Sequence, residues 1–437
     1  MISIKNQTKL LWIISSLLLF PLFFQISGGV YNDFVAVVDS GGVLTKLPLP
    51  ISILACLGGI LLFRDKFRRG YLAVALITSM FLVMVISIMF AGIGLEIEKS
   101  KIILLLQVML PTFALLLGQM VIDTDKIIAK AFLYVLCLVV PFQLMATYLA
   151  GSLTLTHNLY IFSIYQHFQY VTLIFVSAFA YSMSNLWGSH KRILIALIPL
   201  MLFYSTASIS FLTIFSFITF ISFFAYSKLS IRFKKPLSAV VTLAGAIILI
   251  IFMQAYFGLA KNHTSIGIMK QGSTVVNVDG GQYVGKIETL SKGKVPANVV
   301  ERFEIWKLYI SRISESEKTL VFGHDVPLAR EVKTSAHNWY IDMIYNFGLI
   351  SVLPILMLIF YTVFLCWKSR ANMPSETVWL IAIVFYLAVI DNNFKVTFRQ
   401  PYPGIFSFFL WGLLLSRLQF LATEHKKPAL NLPGNFN

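Results

Sequence analysis

Charged residues are scarce in this sequence of 437 residues. Only 12% of them are Asp, Glu, Lys or Arg, whereas soluble domains contain about 25%. This deficit excludes an ordinary soluble domain. The hydrophobic fraction of 58% and the mean hydropathy of +0.80 indicate a polytopic membrane protein instead.

Cysteine is nearly absent as well. The three cysteines, Cys56, Cys137 and Cys366, each lie inside an apolar run. Such residues behave as small core side chains, and their number and placement exclude a disulfide or metal-binding framework. The first apolar run lacks a small-residue cleavage site, so we expect a retained first span rather than a signal peptide.

Apolar runs close to the roughly 20 residues that cross a bilayer as a helix recur along the chain. The run from 193 to 226 is too long for one span and holds a polar stretch, Ser205 to Ser210, at its middle, so we expect two spans joined by a tight turn. The sequence therefore predicts an all-α polytopic membrane protein with about twelve transmembrane helices. The predicted spans are 10–27, 47–63, 71–92, 102–122, 127–150, 168–187, the two halves of 193–226, 237–259, 338–366, 377–393 and 404–420.

Basic residues are distributed unevenly over the predicted loops. With the N-terminus inside the cell, the inner segments carry 19 Lys and Arg, whereas the outer segments other than the long loop carry five, namely Lys46, Lys99, Lys101, Lys395 and Arg399. Short cytoplasmic loops collect basic residues, so both termini are predicted to be cytoplasmic. This topology, with attraction to anionic inner-leaflet lipid, explains the net charge of +16 without a nucleic-acid partner.

One long polar insertion interrupts the apolar sequence between spans nine and ten. The predicted organisation is transmembrane helices one to nine in 1–259, an outer loop in 260–336, helices ten to twelve in 337–420 and a cytoplasmic tail in 421–437. Within the loop, apolar residues at spacings of three and four predict an amphipathic helix near 299–313 that lies on the membrane or on the helix bundle. These residues are Val299, Phe303, Trp306, Ile310 and Ile313.

Arg302 stands at the edge of that apolar stripe. It shares a helix face with Trp306 and Tyr309, so its guanidinium is predicted to point along the membrane surface towards a lipid headgroup. The alternative is an arginine that snorkels, or that pairs with Glu301 or Glu304.

His337 stands where the chain enters predicted span ten, with Ser335 available as an N-cap. A helix N-terminus disfavours the imidazolium, which favours a neutral ring able to act as a base. Asp342 lies about 140° around the helix from His337, because each residue turns about 100°, so we do not expect it to orient the ring. Polar residues are expensive in lipid and indicate an internal polar cavity; here they are Asn338, Asp342, Tyr345 and Asn346.

A second outer cluster follows span eleven. Asp391 and Asn392 stand at the apolar boundary, followed by Lys395 and Arg399. The two cations are candidates to bind a diphosphate, and an interfacial anchor is the alternative. The histidines and tyrosines of the 154–167 loop are candidates to line a sugar site, and an aromatic belt explains them equally well.

Four sequence elements together resemble a known family. They are Arg302-x-x-x-Trp306, the helix ending in Leu320-Val321-Phe322-Gly323-His324, the segment Ser335-Ala336-His337-Asn338, and Phe347-Gly348-Leu349-Ile350 in the following span. This region is similar to the signature of the O-antigen ligase and polymerase superfamily of bacterial membrane glycosyltransferases. The twelve-span layout with a large outer loop before the last three spans is similar too.

The resemblance implies a GT-C-like enzyme of the bacterial inner membrane whose active site faces the periplasm. It implies inverting, metal-independent glycosyl transfer without a cofactor, from a glycan on undecaprenyl diphosphate to a second lipid-linked repeat unit. His337 would be the general base, and Arg302 would neutralise the departing diphosphate. Membrane lipid is an expected partner. Whether a chain-length regulator also binds is left open by the sequence. The implied substrate-binding residues are Arg399, Lys395, Asn338, Asp342, Tyr345, Asp391, Asn392 and Trp306.

The sequence departs from the family pattern in two places, and the second departure favours a polymerase over a ligase. Gly323-His324-Asp325 replaces a Gly-x-Gly turn, and the stretch from Thr206 to Ser210 lacks the arginine of a Ser-x-Ser-Arg-like element. The alternatives are an O-antigen ligase, whose acceptor is a lipid A core sugar, and a lipid-oligosaccharide flippase. A two-halves transporter has its longest loop between spans six and seven, where this chain has only the residues Gly188 to Arg192.

Overall fold

The structure is a computed structural model that describes residues 4–25, 48–92, 99–155, 161, 168–263, 270–271, 274–275, 280–325 and 335–424. These residues form fifteen α-helices and two short antiparallel strand pairs. The helices are α1 (Ile4–Leu19), α2 (Ile51–Leu62), α3 (Tyr71–Ala91), α4 (Lys99–Met120), α5 (Asp125–Leu149), α6 (Phe168–Ala207), α7 (Phe211–Arg232), α8 (Lys235–His263), α9 (Gly280–Ser291), α10 (Ala297–Ile313), α11 (Glu317–Phe322), α12 (Trp339–Phe347), α13 (Leu353–Ser369), α14 (Ser375–Phe385) and α15 (Pro401–Glu424). The strands are β1 (Phe23–Gln25), β2 (Pro48–Pro50), β3 (Lys270–Gln271) and β4 (Thr274–Val275), paired β1 with β2 and β3 with β4.

Eight helical segments within the described ranges are long and apolar enough to cross a membrane, and two shorter apolar helices, Ile51–Leu62 and Leu104–Met120, accompany them. The prediction of an all-α membrane protein is confirmed, while the count of twelve spans stays a prediction. The eight segments are Arg64–Ala91, Asp125–Leu149, Gln169–Ala207, Phe211–Ile231, Lys235–Lys261, Leu349–Asn372, Ser375–Asn393 and Pro401–Thr423.

The long apolar run after residue 193 is divided where its polar stretch predicts a turn. Helix α6 ends at Ala207 and α7 begins at Phe211, and Ile209 between them has a left-handed backbone with φ of 49°. Helix α6 itself covers 40 residues and is kinked at His190, where φ is −126° and ψ is 28°. The non-helical residue His190 thus separates the helices of predicted spans six and seven, which follow one another without a longer loop.

Helix α15 lies in the centre of the bundle, and α8 lies at its periphery. In their apolar windows, 78% of the residues of α15 are buried, against 11% for α8. Helices α15 and α4 approach closely at Gly118 and Gly412, where a Cβ on either glycine would overlap the backbone of the opposite helix. The central position of α15 fixes the segment that precedes it, which contains Lys395 and Arg399.

Predicted span ten is not one continuous helix, and the prediction of a single helix over 338–366 is wrong. Helix α12 ends at Phe347, Gly348 has a left-handed φ of 74°, and α13 begins at Leu353. A Cβ on Gly348 would overlap the carbonyl of Val321, so the backbones of α11 and α12 cross at this point. The polar residues of α12 therefore lie on a separate short helix before the candidate membrane span.

Candidate functional site

Helix α10 packs on α12 through a face beside the one that its apolar spacing predicts. Ile305, Tyr309 and Ile313 are buried and pack with Ala336 and Tyr345. Of the predicted stripe, Ile313 belongs to this contact, while Phe303 and Ile310 remain 50% and 53% exposed. The prediction of one apolar face is thus incomplete, because α10 packs through one face and exposes the apolar side chains of Phe303 and Ile310 on the neighbouring one.

Arg302 and Trp306 connect α10 to two other segments. The Arg302 Nη1 atom donates to the carbonyl of Phe394 at 2.5 Å, and Trp306 Nε1 donates to the carbonyl of Ala336 at 2.9 Å. Glu304, one of the two carboxylates considered as a partner of Arg302, pairs with Lys307 at 2.9 Å. The guanidinium of Arg302 is thereby directed at the segment 391–400 that precedes α15, which is called the α14–α15 turn below.

Residues 335–338, called the His337 segment below, precede helix α12. The prediction of Ser335 as the N-cap is therefore wrong. Asn338 is the N-cap of α12, and its Oδ1 atom accepts from the backbone N–H groups of Tyr340 and Ile341 at 3.0 and 3.2 Å. Ser335 Oγ accepts instead from the backbone N–H of His337 at 3.1 Å. His337 is half-buried and has a left-handed φ of 51°, so the helical angle between it and Asp342 no longer applies.

The His337 segment is joined to the α14–α15 turn on its other side. Asn338 Nδ2 donates to Asn393 Oδ1 at 3.2 Å, and the backbone N–H of Trp339 donates to the carbonyl of Lys395 at 3.1 Å. Together with the bond of Arg302, these bonds bring α10, the His337 segment and the α14–α15 turn into contact. The sequence separation from Arg302 to Phe394 alone is 92 residues.

Asp391 and Lys395 form a buried pair after a π-helical turn at Tyr386–Ile390. The Lys395 Nζ atom lies 3.6 Å from Asp391 Oδ1 and donates to the carbonyl of Gln169 at 3.2 Å. The other Asp391 oxygen accepts from the hydroxyl of Thr397. Turns of this helical type often mark functional sites, and here the turn directs a fully buried carboxylate at a lysine.

Arg399 is held by Asp342 of α12. Its Nη1 atom lies 2.5 Å from Asp342 Oδ2, and the two side chains are only 11% and 3% exposed. The second oxygen of Asp342 accepts from the backbone N–H of Ala336 at 3.4 Å. Arg399 therefore has a carboxylate partner in this structure, and diphosphate contact by it requires competition with Asp342.

Two predicted substrate-binding residues have structural partners. Asn392 is fully buried; its amide donates to the carbonyl of Leu387 at 2.6 Å and accepts from the backbone N–H of Phe398 at 3.0 Å, which stabilises the turn. Tyr345 is 5% exposed, stacked on the ring of His324 at 4.4 Å between centroids. Both side chains are buried and have partners within the protein, and direct substrate contact by them stays a prediction.

Arg302, Lys395 and Arg399, called the cation cluster below, bring three positive charges together, with the carboxylates of Asp342 and Asp391 beside them. Burial lowers the pKa of Lys395, Asp391 opposes this effect, and the charge of Arg302 adds to it. Burial also lowers the pKa of Arg302. Arg399 and Lys395 thus each have a carboxylate within 4 Å, whereas Arg302 donates to the carbonyl of Phe394 and feels the charges of Asp391 and Glu301.

Sequence reasoning missed Tyr170, which lies under the cation cluster at the start of α6. The Nζ atom of Lys395 is 5.1 Å from the centroid of its ring. A signal exists in the sequence, since Tyr170 directly follows the loop rich in His and Tyr. The loop residues His157, Tyr160, Tyr165 and His167 lie outside the described residues.

A metal site is not formed by the part of the chain that the structure describes, where no three His, Cys, Asp or Glu side chains are arranged around a common point. Of the two acidic residues at the start of α5, Asp123 precedes the helix and Asp125 is its first residue. Asp125 is bound by Arg417 at 2.5 Å and by the hydroxyl of Tyr181 at 2.6 Å. This carboxylate therefore joins helices α5, α6 and α15.

No protein-family model matches this chain, and no curated protein matches it. Its function is therefore inferred from the chemistry of the cation cluster and from the residues of the resembling motif.

Proposed function

We propose that this protein is an inverting, metal-independent glycosyltransferase that takes its glycan from a polyprenyl diphosphate. The observation that carries the proposal is the convergence of Arg302, Lys395 and Arg399 beside the His337 segment, through the contacts of Arg302 with Phe394 and of Trp339 with Lys395. Diphosphate is the leaving group whose charge such a cluster matches, since guanidinium forks pair well with phosphate oxygens.

The proposed roles are those that the family resemblance implies for these residues. The acceptor hydroxyl attacks the anomeric carbon of the donor, and the ring of His337 takes the hydroxyl proton. The bond between that carbon and the diphosphate oxygen breaks on the opposite face, which inverts the anomeric configuration. Arg302 and Lys395 neutralise the negative charge that grows on the diphosphate as it departs.

The proposed setting is the bacterial inner membrane, with twelve spans, a GT-C-like arrangement and both termini in the cytoplasm. The 19 basic residues of the inner segments against five outer ones support this orientation. The cation cluster then faces the periplasm, where lipid-linked glycans are joined.

Within this class, we favour a polymerase of O-antigen or a related surface polysaccharide. The stretch from Thr206 to Ser210 forms the turn between α6 and α7 and contributes buried hydroxyls, with no cation. The positive charge is thus supplied by α10 and the α14–α15 turn. The missing arginine in the stretch from Thr206 to Ser210 is the departure from the ligase pattern that favours a polymerase.

The test is the surface polysaccharide of cells that depend on this protein. His337→Ala and Arg302→Ala should each abolish the long-chain ladder on a gel and retain a core capped with a single repeat unit. Loss of all capped core, with lipid-linked polymer accumulating, would assign a ligase.

The matched controls are His190→Ala at the kink of α6 and Arg312→Ala on the exposed side of α10. Both should leave the ladder intact, because His190 contacts Ser189 and Arg312 pairs with Glu315, away from the cation cluster. An intact ladder in the His337 and Arg302 variants, at wild-type protein levels, would exclude the proposed chemistry.

A further inference from the structure

We infer that Tyr170 is a further leaving-group-binding residue, whose hydroxyl donates a hydrogen bond to the diphosphate of the lipid-linked donor. This inference rests on the proposed function and adds a neutral donor to its cations.

The position of the ring supports this role. Tyr170 is half-buried at the first turn of α6, and Lys395 Nζ lies over its ring at 5.1 Å from the centroid, a distance typical of cation–π contact. Arg302, Arg399 and Asp391 are all within electrostatic reach of its hydroxyl. The phenol thus lies beside Lys395 and feels the charges of Asp391, Arg399 and Arg302.

The hydroxyl has an unused donor. The backbone of Val396 is near its oxygen and favours negative charge on it, so this contact does not use the phenol proton. In the described ranges no acceptor for that proton is found. A phenol keeps its proton at neutral pH, since its ordinary pKa is about 10, so it can donate to an anion without adding charge.

A diphosphate oxygen is the acceptor that fits this place. Phosphate oxygens carry negative charge and accept several hydrogen bonds at once, which suits a donor flanked by Arg302 and Lys395. As the glycosidic bond breaks, charge on the diphosphate grows, and a fixed donor stabilises the departing group more than the bound one. The hydroxyl is therefore expected to affect kcat more than KM.

Two substitutions separate the hydroxyl from the ring. Tyr170→Phe keeps the cation–π contact and removes the donor, whereas Tyr170→Leu removes both. Purified variants in lipid nanodiscs, supplied with a polyprenyl-diphosphate-linked repeat unit, should show a kcat lowered by about 10-fold or more for Tyr170→Phe, with KM little changed. Inorganic pyrophosphate should inhibit this variant more weakly than the wild type.

Thermal midpoints confirm that each variant is folded before its kinetics are compared. A Tyr170→Phe variant with wild-type kcat overturns the inference, whether Tyr170→Leu is active or not. If Tyr170→Phe keeps its kcat while Arg302→Ala is inactive in the same assay, the Tyr170 inference fails and the proposed function stands. If the wild type itself transfers no glycan, or if Arg302→Ala and His337→Ala are as active as the wild type, the proposed function fails and the inference with it.

Discussion

At the scale of single residues, Arg399 of the cation cluster is paired with a carboxylate that is distant in the sequence. Asp342 and Arg399 are 57 residues apart in the chain and form a buried ion pair. Removing one partner of such a pair leaves the other charge buried and costs about 3–5 kcal/mol. Asp342 thus acts on stability and also limits the freedom of Arg399 to bind an anion.

Asp342→Asn is therefore expected to lower the free energy of unfolding by about 3–5 kcal/mol, measured as a lower thermal midpoint in detergent. The double variant Asp342→Asn with Arg399→Met should recover part of that loss, because no unpaired charge remains. Glu304→Gln, which breaks an exposed pair with Lys307, is the control and should leave the midpoint unchanged. Equal midpoints for Asp342→Asn and the wild type would show that the bridge contributes nothing.

Lys395 gives the cation cluster a pH dependence. Burial lowers the pKa of its ammonium, and Arg302 adds to the effect, so the group loses its charge at a lower pH than an ordinary lysine with a pKa of about 10.4. As pH rises through the lowered pKa, kcat/KM for glycan transfer should fall. Lys395→Arg should shift this fall to higher pH, because a guanidinium stays charged; the same alkaline limb in both proteins would contradict a role for Lys395.

At the scale of elements, α12 is a nine-residue helix that depends on its surroundings. Isolated helices of this length are not stable in water. At its C-terminal end, the carbonyl of Asn346 accepts from Lys101 Nζ at 2.8 Å, and the carbonyl of Phe347 accepts from Ser87 Oγ at 2.5 Å. Residues of α3 and α4 therefore hold the helix that contains Asp342.

Gly348→Ala tests this arrangement. The φ of 74° is unfavourable for alanine, and the added Cβ would overlap the carbonyl of Val321, so α11 and α12 cannot keep their crossing. The thermal midpoint and the yield of folded protein should both fall sharply. Gly245→Ala in α8 is the matched control, since a Cβ there meets nothing within 4 Å; a similar loss in both variants would mean that the crossing has no special role.

Helix positions are predictable from this sequence where polarity changes, and less so where it does not. The turn after Ala207 is marked by hydroxyl residues, and the helix predicted near 299–313 corresponds to α10. The break at Gly348 lies within an apolar stretch, Phe347 to Val352, and is caused by a backbone crossing with Gly323. Tertiary contacts of this kind, like the pairing of Asp342 with Arg399, leave no periodic trace in a single sequence.

At the scale of the whole molecule, α15 connects the two ends of the bundle. Arg399, just before its first residue, pairs with Asp342, and Arg417 near its last turn pairs with Asp125 at 2.5 Å. Close packing of Gly412 on Gly118 fixes the helix between these ion pairs. The cation cluster is thus attached to the most buried helix among the candidate spans, which is a rigid support for binding a charged group.

The orientation of the bundle decides whether the cation cluster can meet lipid-linked glycan outside the cytoplasm. In a variant without native cysteines, single cysteines at the exposed positions Lys294 and Lys191 report opposite sides of the membrane. We expect Lys294→Cys to react with a membrane-impermeant thiol reagent in intact cells, and Lys191→Cys to react only after lysis, because basic inner loops stay in the cytoplasm. The reverse pattern would place the cation cluster on the cytoplasmic face and would rule out polymerisation of exported repeat units by this protein.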